Sequence, residues 1–292
     1  MPTRRRAGTF FIMPAVVFVA AMVLFPIGYT AWLSLHEWSG SAVRSPRWVG
    51  IGNYTELLTR DPRFGYAVLR TFFFTAIAVP LEIILGLAIA LLISEKFRGQ
   101  HLAKALILLP MVATPVAIGM AWLLILEPNI GPLNTLLRSW HLPPQPFLGS
   151  GQQALLCLIA VDVWQWTPMM ALILVAGLAT LPGEPFEAAR VDGAGLWQRF
   201  YHLTLPLLMP TIITAMLLRS IEALKTFDII YTMTRGGSDY SSETMNIYGY
   251  VQSFEYFALG KASSLLTLFF ALVLGVSLIF IEVRKRWGMA VA

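Results

Sequence analysis

The sequence predicts an all-α integral membrane fold with six spanning helices, and three observations carry that prediction. Hydrophobic residues make up 57% of the 292-residue chain and charged residues only 13%, against roughly 25% charged in soluble domains. Mean hydropathy is +0.68. The apolar residues are gathered into stretches near the roughly 20 residues needed to cross a bilayer: Phe10 to Leu35, Thr71 to Ile93, Ala105 to Leu126, Leu155 to Ala179, Leu205 to about Leu224, and Leu265 to Val283.

The first stretch follows Arg4, Arg5 and Arg6, the layout of a secretory signal, yet its apolar run is too long and lacks a small-residue cleavage site. A retained anchor is expected. In the fifth, the purely apolar part ends at Leu218, and about 14 residues at about 1.5 Å each cover only about 21 Å of a roughly 30 Å core. That helix must therefore continue through Arg219 and Glu222. Pro14, Pro26, Pro80, Pro110, Pro115 and Pro168 lie within or beside spans, where each removes a backbone donor and tends to bend its helix, as a cavity lining or as a fixed kink. The expected organisation is an anchor span with an outer loop over 1–70, a transport core over 71–283 and a tail over 284–292.

Six spans put both termini on one side, and cytoplasmic loops favour lysine and arginine. With the N-terminus inside, inner segments hold Arg4, Arg5, Arg6, Lys96, Arg98, Lys104, Arg190, Arg199, Arg284, Lys285 and Arg286. The longer outer segments hold Arg44, Arg47, Arg60, Arg63, Arg70, Arg138, Arg235 and Lys261. Both termini are thus expected in the cytoplasm. The net charge of +5 follows from topology, not from nucleic-acid binding, which requires a basic face with interleaved aromatics. The outer loops Glu37 to Arg70, Glu127 to Gln153 and Tyr231 to Ser264 have room for short surface helices such as Pro132 to Trp140, and suit docking better than catalysis.

Several chemistries lack their required spacing. The Gly260-Lys261 pair is followed by Ala262 and has no glycine loop before it, so no Walker A site is expected. His36, His101, His141 and His202 have no neighbour at zinc-ligand spacing. Gly193 and Gly195 have no preceding strand and no third glycine at the dinucleotide offset. Cys157 is the single cysteine, set among apolar neighbours as a core filler.

Between spans four and five lies a polar segment, Glu187 to Pro206, reading EAARVDGAGLWQRFYHLTLP. Pro182 and Pro185 close the fourth span, and Glu184 and Glu187 fall in the first turn of a new helix, where negative charge suits the dipole. Ala188, Ala189 and Ala194 keep its surface slim, and Gly193 permits a turn that a side chain would block. Leu196, Trp197, Phe200 and Tyr201 then form an apolar second helix near the membrane, with Pro206 opening the fifth span. The residues allow either a helix-turn-helix knob that another protein grips or an ordinary amphipathic connector.

The pattern Glu187-Ala188-Ala189, then Gly193, then Leu203-Thr204-Leu205-Pro206 resembles the EAA loop of ATP-binding cassette importer permeases: EAA, three intervening residues, glycine, a nine-residue spacer, then hydrophobic-x-Leu-Pro. Phe227-Asp228 through Thr232, Thr234, Arg235-Gly236-Gly237, Thr244, Tyr248, Phe254 and Gly260 is similar to the carbohydrate-uptake branch, the maltose and glycerol-3-phosphate type. Ser238 stands where many relatives have proline. The resemblance covers essentially the whole chain and implies the type I importer permease fold, with a cytoplasmic coupling helix between spans four and five, in a bacterial inner membrane. It implies a sister permease, two cytoplasmic ATPases that use ATP and Mg, an extracytoplasmic solute-binding protein and a carbohydrate solute, with no cofactor on this chain. Glu187, Ala188, Ala189, Asp192, Gly193 and Ala194 would then couple to an ATPase.

Charge in hydrocarbon is costly and normally faces protein or a water-filled cavity. Arg219, Glu222, Lys225 and Asp228 alternate in sign every three residues, so successive members are expected to pair along the fifth helix, as a structural ladder or as solute contacts. Glu82 and Asp162 each interrupt an apolar span. Asp162 lies near Trp164, Gln165 and Trp166, and a carboxylate beside an indole suits a sugar, although tryptophan also favours membrane interfaces. Asn246 and Tyr248 are further candidates on a loop that could instead meet the binding protein. An ion-coupled secondary transporter is the alternative function. An intramembrane enzyme lacks any serine-lysine, paired-aspartate or histidine-metal arrangement.

Overall fold

The computed structural model describes residues 2–41, 43–94 and 98–291; Lys96, counted above among the inner basic residues, lies outside them. Among the described residues the regular structure is helical apart from one small ribbon. In order, α1 spans Pro2–Ser34, β1 His36–Glu37 and β2 Arg47–Trp48 pair antiparallel with His36 opposite Trp48, and α2 spans Gly52–Thr59. Next come α3 Pro62–Ser94, α4 Gln100–Val112, α5 Pro115–Ile125, α6 Pro132–Ser139, α7 Gly151–Ala179 and α8 Glu184–Val191. The rest is α9 Leu196–Arg199, a π-helical turn Phe200–Thr204, α10 Leu205–Leu224, α11 Asp228–Thr234, α12 Met245–Tyr250, a second π-helical turn Val251–Glu255, and α13 Leu259–Val291. Long apolar helices are the expected solution where no water can satisfy backbone groups.

Among the described residues, five helical segments are long and apolar enough to cross a membrane unbroken: Met13–Ser34, Pro62–Ser94, Gln153–Ala179, Leu196–Leu224 and Leu259–Arg286. The expected third span, Ala105 to Leu126, is instead a broken pair, α4 and α5, bent by 94°. The cause is local. Ala113 and Thr114 are extended, with ψ of 147° and 144°, and the ring of Pro115 disfavours helical backbone at Thr114 before it. Thr114 then caps α5, its Oγ1 accepting from the Ala117 N–H at 3.4 Å, with Pro115 in the first turn. Pro206 sits in the first turn of α10, where the sequence places the start of the fifth span, and the helix continues backward through the π-helical turn to Leu196. The fifth span does continue past Arg219 and Glu222 to Leu224.

The chain divides into two compact units, one of residues up to Gly65 with Tyr248–Ala271, the other of Tyr66–Ile247 with the chain from Leu272 onward. In the first, the end of α1 is tied to the loop after it: Asn53 Nδ2 donates to the carbonyls of Ser34 and His36, each at 2.9 Å, and Tyr54 Oη to Ser34 Oγ at 2.6 Å. In the second, α3, α7 and α10 enclose a core of Ile83, Ala90, Met170, Leu174, Leu208, Ile212 and Ala215. Glycine lets these helices approach closely: a Cβ on Gly86 would lie 2.8 Å from Met170 Cβ, and one on Gly177 would lie 2.7 Å from Thr211 Cγ2. Small residues at such contacts are the usual packing device in lipid, where tails are as apolar as leucine.

Candidate functional site

Two features of the second unit stand out, one exposed and one buried. The exposed one is the turn after α7. Glu184 and Glu187 occupy the first turn of α8 with Pro185, as the sequence suggests. The helix ends in a Schellman motif: the Ala194 N–H donates to Ala189 O at 2.9 Å and the Gly193 N–H to Arg190 O at 3.1 Å, with Gly193 at φ +77°. Gly193 is required by that left-handed backbone; a Cβ there would meet no atom. Gln198 Oε1 accepts from the Gly195 N–H at 2.8 Å and starts α9. Glu187, Ala188, Asp192 and Gly193 are exposed, while Ala189 and Ala194 are half-buried. Beside them Val191, Leu196 and Trp197 are 88%, 78% and 73% exposed. Exposed apolar side chains set among charged ones suit contact with another protein or with the membrane. Val191 was not singled out in the sequence, although a valine between Arg190 and Asp192 in a polar turn is the available signal.

The buried feature joins three helices. Arg219 on α10 donates from Nε to Glu82 Oε2 at 2.7 Å and from Nη2 to Glu82 Oε1 at 3.0 Å, and its Nη2 also donates to Asp162 Oδ2. Glu82 comes from α3 and Asp162 from α7, and all three side chains are at most 1% exposed. The guanidinium also sits 5.2 Å from the Trp166 ring centroid. Asp162 Oδ1 has no hydrogen-bond partner among the described residues. A cavity of about 250 Å³ opens beside this cluster, lined by Asp162, Trp166, Arg219, Glu222, Lys225 and Asp228 among others.

The expected ladder along the fifth helix is therefore not formed. Among the described residues no ion pair joins Arg219 to Glu222 or Lys225 to Asp228. The reason is geometric: α10 ends at Leu224, Lys225 is its C-cap, and Asp228 begins α11. Burial then decides the partners of Arg219, which are the carboxylates on neighbouring spans. Trp164 is not brought to the cavity. It is 44% exposed and meets Trp122 edge-on at 5.6 Å. Asn246 stays off the cavity wall but donates from Nδ2 to Lys225 O at 2.6 Å, holding the end of α10. Glu82, noted in the sequence only as a charge in an apolar span, is the principal partner of Arg219. Pro115, one of the prolines noted in the sequence as a bend or cavity lining, also lines the cavity, as do Thr226, Phe227 and Ile229.

Residues 49–284 match the family described as binding-protein-dependent transport system inner membrane component. The chain is 34% identical over 282 residues to the trehalose/maltose transport system permease protein MalF of Thermococcus litoralis, covering 96% of this chain and 94% of that one. It is 34% identical over 278 residues to the trehalose transport system permease protein SugA of Mycobacterium tuberculosis, covering 95% and 88%. Among solved structures, a chain of a bacterial alginate ABC transporter in complex with alginate pentasaccharide-bound periplasmic protein superposes with a TM-score of 0.84 at 17% identity, covering 97% and 96%. A chain of the MetNI methionine ABC transporter superposes with a TM-score of 0.56, covering 76% of this chain and 95% of that one. At these identities the two structures speak to the fold.

Proposed function

Because the chain belongs to the binding-protein-dependent transport system inner membrane component family, we propose that it forms half of the pore of an ATP-driven carbohydrate importer. The observation that carries the solute class is the identity of about one third, over nearly the whole chain, to permeases named for trehalose and maltose. The other half is a sister permease. Two ATPases bind ATP and Mg on the cytoplasmic side, and an extracytoplasmic binding protein delivers the solute. Both termini lie in the cytoplasm, so the turn after α7 faces the ATPases.

The exposed turn supports a coupling role. Glu187, Ala188, Ala189, Asp192, Gly193 and Ala194 form the knob that an ATPase grips, and the apolar side chains of Val191, Leu196 and Trp197 supply contact area around it. Closure of the ATPases on ATP displaces the knob, and α7 and α10, continuous with it on either side, carry the motion into the bundle. Two arrangements of one bundle, biased by nucleotide, give alternating access. The cavity beside Asp162 supports a solute path: Asp162 Oδ1 offers an acceptor for a hydroxyl, and Trp166, Glu222, Lys225 and Asp228 offer an apolar face and further polar contacts. Arg219 mainly positions Asp162.

Glu187→Lys and Gly193→Pro test the coupling. Both should leave insertion and detergent extraction intact, lower ATPase recovery with the tagged permease, and depress sugar uptake. Unchanged uptake in both overturns the assignment of the knob.

A further inference from the structure

Two adjoining cavities in the first unit have no part in the site described above. One, of about 740 Å³, is lined by Thr55, Arg60, Asp61 and Gln252 among others. The next, of about 990 Å³, is lined by Glu37, Trp38, Arg44, Arg47, Tyr256 and Phe257 among others. Gly52, Glu56 and Lys261 belong to both, which makes one continuous trough. In the proposed topology these segments are extracytoplasmic.

The walls are held in place by contacts within the unit. Lys261 Nζ reaches Glu56 Oε1 at 2.9 Å and Asp61 Oδ2 at 2.8 Å, and the Tyr248 hydroxyl donates to the same Asp61 oxygen. Trp38 Nε1 donates to Arg44 O at 2.9 Å and closes its loop. Gly260 lies so near the His36 carbonyl that a Cβ has no room, so only glycine permits this approach of the two backbones. Phe257 is held at φ +53°, a left-handed backbone that bulky side chains seldom adopt, and the residue is 58% exposed. Tyr256 beside it is 54% exposed.

The lining discriminates between ligand classes. Arg47 is already engaged by Glu37, and Lys261 by Glu56 and Asp61, so these cations are not free to hold an anion, and an apolar helix would leave Arg44, Arg47 and Arg60 facing hydrocarbon. Acceptors and donors alternating beside exposed aromatic faces match a polyhydroxylated ring, whose hydroxyl edges need both and whose C–H face packs on an aromatic. We infer that this trough is a saccharide subsite, separate from the Asp162 cavity, on which a sugar unit rests before it enters the path. The inference rests on the carbohydrate reading proposed above.

The test uses the assembled permease and ATPase complex in lipid nanodiscs without binding protein, with trehalose, maltose and maltotriose as probes in saturation-transfer difference NMR. The parent complex should transfer magnetisation to sugar ring protons. Phe257→Ala and Tyr256→Ala, each at an exposed position, should lower that signal about two- to tenfold, the weight of one aromatic contact. Trp140→Ala, at an exposed aromatic that lines neither the trough nor the Asp162 cavity, should retain it. A signal unchanged in both trough variants, or lowered as much by Trp140→Ala, overturns the inference. Uptake into proteoliposomes with the binding protein separates the two readings: uptake without a trough signal rejects the subsite alone, whereas loss of both rejects the carbohydrate assignment with it.

Discussion

Arg219→Met isolates the buried charge cluster. The substitution deletes two hydrogen bonds to Glu82 and one to Asp162, and leaves two carboxylates that are 0% exposed with no cation between them. Breaking a buried pair from one side costs about 3–5 kcal/mol, because a charge remains desolvated without compensation. The contact with Trp166 adds about 0.5–2 kcal/mol to what is lost. Methionine fills most of the vacated volume, so the cavity contribution is small and the electrostatic one dominates. Removing all charge together, in Glu82→Gln with Asp162→Asn and Arg219→Met, eliminates the uncompensated carboxylates and should bring stability back to within about 1–2 kcal/mol of the parent. The measurement is unfolding in mixed micelles by SDS titration, followed by tryptophan fluorescence and analysed as a mutant cycle across the three positions. A loss below about 1 kcal/mol for Arg219→Met, the size typical of a solvated pair, refutes the reasoning. So does a triple variant as unstable as the single one.

Gly177→Val forces a side chain to within 2.7 Å of Thr211 Cγ2 and 2.9 Å of Leu208 Cδ1, so it should cost about 1–3 kcal/mol by overpacking and lower the melting temperature. Gly275→Val, where nothing lies within 4 Å, should be near neutral, and equal melting temperatures for the two would contradict the packing assigned to α7 and α10. Asp61 gives a pH dependence. Burial acts to raise its pKa, but hydrogen bonds from Lys261 and Tyr248 outweigh burial and hold the carboxyl below its ordinary value. With the folded pKa depressed, the unfolded chain takes up the proton first as pH falls. The stabilisation is therefore complete above the unfolded value of about 3.9 and is lost as pH drops through the lowered folded value. The melting-temperature gap between parent and Asp61→Asn should stay constant from about pH 7 to 5 and narrow below about 4; a gap that widens in acid would reverse the sign assigned to Asp61.

Much of the fold was legible because crossing lipid imposes a length and a composition on every span, and the apolar stretches of this chain display both. The turn at Gly193 was legible for a similar reason: ending a helix in a left-handed residue calls for glycine, so the residue type announces the backbone. The break at Ala113 and Thr114 was written in Pro115 but hidden by the surrounding hydrophobicity, which is the same for a straight span and a broken one. Trp164 and Trp166, two residues apart on α7, could not be told apart by type, since only the neighbouring helices decide which face is filled.

By itself the sequence determined that this is a membrane chain of about six apolar segments with a polar, glycine-closed turn before the fifth, because each of those properties is local to the residues that carry it. Only the tertiary structure decided the partners of Arg219. Spacing along α10 offered Glu222, three residues away, yet the guanidinium pairs with Glu82, 137 residues away, and with Asp162, 57 residues away. An ion inside the bundle is governed by which opposite charges share its dry interior, and helix packing sets that where sequence separation does not.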